Sequence, residues 1–269
     1  TGVQTCALPI WTLTDQQGAV VPGASVTVAS PQLQGERTSV TDAIGEFRFL
    51  SLPPGTYTVK AGLTGFERVE RDGILLSGDL GRHAIAILNA RERLFPENEI
   101  INILDIGTGS GNIAITVAKH ILNSNIISID ISNDSLELAK ENAKQNQVES
   151  KIKFLNVDIL TNYELPITNY DFIVSNPPYI SIEEFQSLQP EVKIFEPKTA
   201  TTDNADGLTF YRRIAEIGKS LLNENGTIAV EIAYNQSEQV KTIFANANYK
   251  NISARKDYSG IERIILATN

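Results

Sequence analysis

The sequence predicts a two-part chain, a small all-β sandwich followed by a doubly wound α/β domain. Residues 11–88 run in short apolar and polar alternations broken by turn residues, while residues 101–269 alternate β-branched apolar runs with helical stretches. Composition switches between the two. Residues 1–93 hold seven Arg, one Lys, one Asn and five Ile, against four, eleven, twenty and twenty-seven in residues 94–269. Arg and Lys serve equally well on most solvated faces, so folding does not demand such a switch. Two coding regions of different base composition would produce it, and the chain reads as a fusion with its junction at residues 89–100.

The bulk numbers exclude several classes. With 269 residues, 42% hydrophobic and a net charge of −9, the chain is an ordinary globular protein. No stretch approaches 18 uninterrupted apolar residues, so no membrane span is expected. The acidic balance argues against a nucleic-acid partner. A single cysteine, Cys6, excludes an intramolecular disulfide and a multi-cysteine metal site, and with only His83 and His120 no metal centre is expected. Thr1–Ile10 fits neither part and resembles a translated sequencing-adapter remnant, which empties Cys6 of meaning. A signal-peptide reading of the same residues lacks a basic start. The chain contains no methionine and reads as a fragment.

In the first part, residues 24–28, 46–49, 56–59 and 83–87 alternate as half-buried strands do, and Pro22-Gly23, Ile44-Gly45 and Pro53-Pro54-Gly55 supply turns. About seven strands are expected from such a pattern. Asp42 beside Gly45 reads as the opener of a turn rather than a metal ligand. The set Asp15 with Gly18, Val21-Pro22-Gly23, Thr41-Asp42 with Gly45, Phe47 and Phe49, Leu52 to Tyr57, and Gly65-Phe66 resembles the carboxypeptidase-regulatory-like, transthyretin-like domain at the start of many TonB-dependent receptors. That resemblance implies a β-sandwich with no catalytic residues and a periplasmic address.

In the second part, strands are expected at 101–106, 126–130, 152–156, 171–175, 227–232, 249–254 and 261–267, and helices at 111–122, 133–146, 207–222 and 235–246. Asn133 is placed to cap the second helix, with Lys140 and Lys144 toward its C-terminal end.

The chemistry sits at the strand ends. Asp105, Gly107, Thr108, Gly109, Ser110 and Gly111 run from the first strand into a helix, where glycines admit a ligand close to backbone N–H groups. Asp130 ends the next strand nineteen residues after Gly111, where an acid accepts both hydroxyls of an adenosine ribose. The turn is G-x-G-x-G, and its leading acid, Asp105, suits the ammonium end of S-adenosyl-L-methionine better than a pyrophosphate. Asp158, after the third strand, can accept from the adenine amine, and Ile159 can offer its N–H and an apolar wall.

Asn176-Pro177-Pro178-Tyr179 follows the fourth strand. Methylating an amide or aromatic amine is difficult because its lone pair is delocalised. A carbonyl on Asn176 and the backbone carbonyl of Pro177 can accept the two N–H hydrogens and aim the nitrogen, while the prolines keep the loop rigid. Tyr179 gives a flat face for a planar amide or base. No strong general base is needed, since the proton can leave after the methyl arrives.

Residues 101–269 resemble the methyltransferase domain of the release-factor glutamine methyltransferases. The likeness rests on Asp105 to Ile115, Asp130, Asp158, Asn176 to Tyr179, Glu196-Pro197, Asp206-Gly207-Leu208 with Tyr211 to Arg213, Val230-Glu231-Ile232 with Gln236, and Asp257 to Gly260 with Arg263. It implies a Rossmann-like class I methyltransferase fold and S-adenosyl-L-methionine as cofactor. It further implies a Gly-Gly-Gln loop of a peptide chain release factor as substrate, a monomer, and a cytoplasmic address. Asp105, Gly107 to Gly111, Asp130, Asp158, Ile159 and Asn176 would contact the cofactor, and Asn176, Pro177, Pro178 and Tyr179 would hold the glutamine, with Asn176, Pro177 and Tyr179 the catalytic group.

Three departures are noted. Ala233 stands where the family has glycine, Thr201 to Ala205 replace a glycine-bearing run, and the family's N-terminal helical bundle and lead-in helix have no counterpart. An exposed apolar patch on the sheet is expected from the last. The Asn-Pro-Pro-Tyr tetrad also occurs in enzymes that methylate adenine or guanine amino groups. The net −8 of residues 94–269 and the lack of a basic patch favour the protein substrate over that alternative. An inactive fusion, with a receptor interaction module in front, is the non-enzymatic alternative.

Overall fold

The computed structural model describes residues 10–269 apart from 16, 31, 32, 34, 50–54, 64–67, 77–80, 82, 83, 85–99, 162, 163, 188–197, 258 and 259. The chain divides into two compact units, Thr1–Gly78 and Asp79–Asn269.

In the first unit, β1 (Ile10–Thr12) pairs antiparallel with β4 (Glu46–Arg48). A four-stranded antiparallel sheet has the order β3 (Arg37–Val40), β2 (Ser25–Ala29), β5 (Gly55–Gly62), β6 (Val69–Leu76). Val26, Val28 and Tyr57 from alternate positions of β2 and β5 meet Leu33 and Phe49 in one core. Two acids organise turns. Asp15 Oδ1 accepts from the Gln17 and Ala19 N–H groups, and Asp42 Oδ1 from those of Ile44 and Glu46. Asp42 is thus a turn opener. Gly45 follows it with φ 74°, and a Cβ there would stand 2.9 Å from the Leu13 carbonyl. The strand expected at 83–87 is corrected at Ala84, which is helical, as is Gly81; both are buried and belong to the second unit. Five alternating residues rich in alanine do not separate a strand from a buried helix. The expected turn at Pro53-Pro54 and the Gly65-Phe66 pair lie outside the described residues.

The second unit is built on a seven-stranded sheet of order β12-β13-β11-β10-β7-β8-β9. Its strands are β7 (Ile101–Ile106), β8 (Ser124–Asp130), β9 (Ile152–Asn156), β10 (Tyr170–Ser175), β11 (Leu222–Glu231), β12 (Lys250–Lys256) and β13 (Glu262–Thr268). Strands β9, β8, β7, β10 and β11 are parallel, and β13 runs antiparallel between β11 and β12. The central strands read as continuous apolar runs because helices cover both faces. Its helices include α1 (Asn112–His120), α2 (Asn133–Gln145), α3 (Ile182–Ser187), α4 (Lys198–Thr201), α5 (Thr209–Leu221) and α6 (Ser237–Asn246).

Helical spacing sets what each helix buries. In α5, Tyr211, Ile214, Ala215, Gly218 and Leu221 fall on one stripe and enter a core with Ile173, Ile228, Val230 and Ile265. Each such aliphatic side chain contributes about 1.5–3 kcal/mol on burial. Two details differ from expectation. The cap of α2 is Ser132, whose hydroxyl accepts from the Ser135 N–H at 3.2 Å, rather than Asn133. Helix α5 begins at Thr209 because Asp203 gathers the preceding turn, accepting from the Ala205, Gly207 and Thr209 N–H groups. Though partly buried, Asp203 stays below the usual carboxylate range, held there by Thr209 and these backbone donors.

Two of the departures from the family pattern have local explanations. Asn204 adopts φ 58°, the left-handed conformation a glycine in that run would supply and asparagine tolerates best among the rest. Ala233 is absent from the positive-φ residues, so no glycine is required there. The apolar patch expected on the sheet turns on residues 85–99, outside the described set. Ile100 and Leu122 are exposed by 64% and 78%, flanking the hydrogen bond from the Ile101 N–H to the Asn123 carbonyl.

Candidate active site

Strand order reverses between β7 and β10, so the loops after β7 and β10 leave in opposite directions and open a crevice at the C-terminal ends of the strands. Every sequence-predicted site residue lies on a loop or strand tip at this end. Asp105 pairs in register with Ser128 on one side and Val174 on the other, which places it beneath the crevice.

Asp105 is fully buried. Its Oδ2 accepts from the Thr108 hydroxyl at 2.6 Å and lies 3.4 Å from the Ser128 hydroxyl, while its Oδ1 has no hydrogen-bond partner among the described residues. Burial, with the negative charge of Asp130 adding to it, pushes its pKa up to about 7 against the pull of Thr108, Ser128 and the Ala114 backbone. A buried carboxylate oxygen left unsatisfied at a strand tip is costly unless a donor arrives.

The glycine turn is held from β8. The Gly107 and Thr108 N–H groups both donate to the Ile129 carbonyl, and Asp130 Oδ2 accepts from the Gly109 N–H at 2.8 Å. The other oxygen of Asp130 accepts from the Ser132 N–H at 2.9 Å. Gly107, Gly109 and Gly111 have φ of 70°, 55° and 81°. Their surroundings differ. A Cβ on Gly107 or Gly109 would meet nothing within 4 Å, whereas one on Gly111 would stand 3.0 Å from the Ala139 Cβ of α2 and 3.1 Å from Ile115. Gly107 and Gly109 border open space and Gly111 serves helix packing. Gly111→Ala is therefore expected to lower thermal stability by about 2 kcal/mol, and Gly109→Ala by about 1 kcal/mol from backbone strain alone. Ligand affinity should show the reverse order, measured by calorimetry beside thermal unfolding.

After β9, Asp158 Oδ1 accepts from the Leu160 N–H, and Ile159 is buried in the core. Arg213 of α5 pins this loop, donating from Nε to the Ile159 carbonyl at 2.6 Å and from Nη2 to the Thr161 carbonyl. After β10, Ser175 donates from Oγ to the Ile106 carbonyl at 2.8 Å and so ties the two strands at the crevice floor. Asn176 is then exposed, Pro177 is buried, and Pro178 and Tyr179 are half-buried. Glu196-Pro197 lies outside the described residues.

Ile131 is a further candidate for the crevice that no motif marks. It is 60% exposed, directly follows Asp130, and its carbonyl accepts from Asn156 Nδ2 at 2.8 Å. Its only mark in the sequence is an apolar residue just past a strand-terminal acid. Ser128, which faces Asp105, lies inside a strand that reads as core.

A sheet that inserts an antiparallel last strand beside β11 departs from the six-stranded parallel dinucleotide-binding order and defines a Rossmann-like methyltransferase fold. Residues 97–265 match the family model described as a methyltransferase domain, and the chain belongs to that family. Residues 12–85 match the model of the carboxypeptidase regulatory-like domain.

Among curated relatives, the chain is similar to the release factor glutamine methyltransferase of Fusobacterium nucleatum, 42% identical over 175 residues, which cover 65% of this chain and 49% of that protein. The enzyme of the same name from Clostridium acetobutylicum is 36% identical over 63% of this chain and 60% of its own length. That from Bacillus cereus is 37% identical over 68% and 64%. The chain thus spans about half to two thirds of these relatives' lengths. Among solved structures, the N-terminal domain of human METTL16 in complex with SAH aligns with a TM-score of 0.51 at 16% identity over 72% of each chain, a likeness of fold. Among the described residues no helix is long and apolar enough to cross a membrane.

Proposed function

We propose that this chain transfers a methyl group from S-adenosylmethionine to the side-chain amide of a glutamine in a Gly-Gly-Gln loop of a peptide chain release factor. The observation that carries the cofactor half is the unsatisfied Oδ1 of buried Asp105 beside two glycines that border open space. Those features fit a ligand that brings an ammonium donor and lies against the backbone. The relatives' names support the substrate half.

In this reading Asp105 takes the ammonium and the backbone of residues 107–111 borders the ligand, its Gly107, Thr108 and Gly109 N–H groups being held by Ile129 and Asp130. Asp130 accepts the ribose hydroxyls through lone pairs left after its bonds to Gly109 and Ser132. Ile131 offers an apolar wall for the adenine, and Asp158 and the Ile159 N–H read its polar edge. The cofactor supplies an electrophilic methyl group. Asn176 and Pro177 present carbonyl acceptors to the amide N–H hydrogens, and Tyr179 covers the planar amide. Residues 101–269 hold all of this chemistry. Residues 11–78 form a β module without a catalytic role, and the cytoplasm, where release factors act, is the enzyme's compartment.

Titration of the full chain with S-adenosylmethionine tests the reading. Asp130→Ala is expected to weaken binding about 10²-fold, the loss of two hydrogen bonds to a charged acceptor at about 1.5 kcal/mol each. Unchanged affinity in that variant would remove Asp130 from the site, and no binding by the parent chain would remove the enzyme reading altogether.

A further inference from the structure

Gln236 lies at the turn between β11 and α6 and is 5% exposed. Its carboxamide reaches three segments far apart in sequence. Nε2 donates to the Tyr179 carbonyl at 2.8 Å and to the Gly207 carbonyl at 3.3 Å. Oε1 accepts from the Ala233 N–H at 3.1 Å and lies 3.4 Å from the Tyr211 hydroxyl, which itself donates to the Glu231 carbonyl. Two carbonyls need donors and one backbone N–H needs an acceptor, so the residue must be an amide, and its length is set by the span.

The loop it reaches has a specific need. Pro177 and Pro178 carry no N–H, so Asn176 to Tyr179 cannot close on itself through those donors and can be held there only through its carbonyls. The near end is fixed by the β10 ladder and the Ser175 bond to Ile106. The far end leaves the sheet at Tyr179, where Gln236 donates to the carbonyl, and the next residue is held by its own Ile180 N–H donating to the Thr201 carbonyl at 3.1 Å. Packing closes the same point, since a Cβ on Gly207 would stand 2.5 Å from the Tyr179 carbonyl and 3.0 Å from Gln236 Nε2.

Resting on the reading of Asn176 to Tyr179 as the amide-binding loop, we propose that Gln236 is its positioning residue. It fixes the Tyr179 end so that the Asn176 and Pro177 carbonyls keep their aim. Gln236 touches neither cofactor nor substrate, and its effect falls on turnover.

The test compares the full parent chain with Gln236→Met, which keeps length without polarity, and Gln236→Glu. Gln236→Met is expected to lower kcat for transfer to a Gly-Gly-Gln peptide about 10²-fold, the effect of an ångström-scale misplacement, with KM for S-adenosylmethionine within about threefold. In Gln236→Glu an ionised carboxylate faces two carbonyls. A protonated one donates to Tyr179 while still accepting from Ala233. Its turnover should match the Met variant near about pH 8 and recover about tenfold toward about pH 6, against the parent's trend. Backbone exchange over residues 179–182 should quicken about tenfold in Gln236→Met.

A Met variant within twofold of the parent, a Glu variant that tracks the parent's pH profile, or a cofactor KM that rises as kcat falls overturns the proposal. A parent that transfers no methyl to the peptide refutes the substrate reading instead. The exchange rates then still decide the clamp, and unchanged rates in Gln236→Met overturn it.

Discussion

Asn176→Ala is expected to lower kcat for methyl transfer by about 10²–10³-fold, the range seen when one preorganised polar group aimed at a reacting centre is removed. Cofactor affinity should stay within severalfold, and the thermal midpoint should not move. The reason lies in the residue's position. Asn176 is exposed, whereas Ser175 before it and Pro177 after it are buried and hold the backbone. Removing the carboxamide takes away an acceptor for the substrate amide without opening a cavity. Single-turnover transfer to a Gly-Gly-Gln peptide, with calorimetric titration of the cofactor alongside, measures both quantities. Retained turnover would remove Asn176 from the amide-binding role, and a parallel loss of cofactor affinity would assign it to the cofactor instead.

Asp105 gives the second large effect, on stability and on ligand binding in opposite senses. Burial pushes its pKa up to about 7 in the folded chain, from 3.8 when solvated. Between about pH 4 and about pH 7 the folded state therefore holds a proton that the unfolded state has released. Stability falls as pH rises through that window, by up to about 4 kcal/mol at about 1.4 kcal/mol per tenfold. Asp105→Asn should remove this slope and raise the thermal midpoint of the ligand-free protein above neutral pH. A cation against Oδ1 restores the carboxylate, so S-adenosylmethionine should bind more tightly as pH approaches about 7 and release a proton below it. Calorimetry in two buffers of different ionisation heat reads the proton count. A pH-independent affinity in the parent, or full affinity in Asp105→Asn, would remove Asp105 from the ammonium site.

Much of the second unit was legible because its signals are local. All seven strands of the sheet were expected within a few residues of where they lie. Fully buried parallel strands read as uninterrupted Ile and Val runs, and each helix carried its apolar stripe. The largest shift, β11 beginning at Leu222 rather than 227, comes from an irregularity in its pairing with β10, between Tyr170 and Phe172. Pattern does not encode such a slip. The helices α3 and α4 were not anticipated, being too short to show a period. The β module was less legible. Its strands are three to eight residues long and its pairings join distant segments, so β1, β3 and β6 left little trace in alternation.

By itself the sequence determined the order of elements, the glycine turn, the acid at the tip of β8 and the Asn-Pro-Pro-Tyr loop, because each rests on backbone conformations and spacings within a few residues. Only the tertiary structure decided the rest. It left the Asp105 carboxylate with an unsatisfied oxygen, divided the glycines between open space and helix packing, exposed Ile131, and brought Gln236 to Tyr179 across 57 residues. Each of these depends on which distant atoms surround a side chain, and burial and hydrogen-bond satisfaction are properties of that enclosure rather than of the local chain.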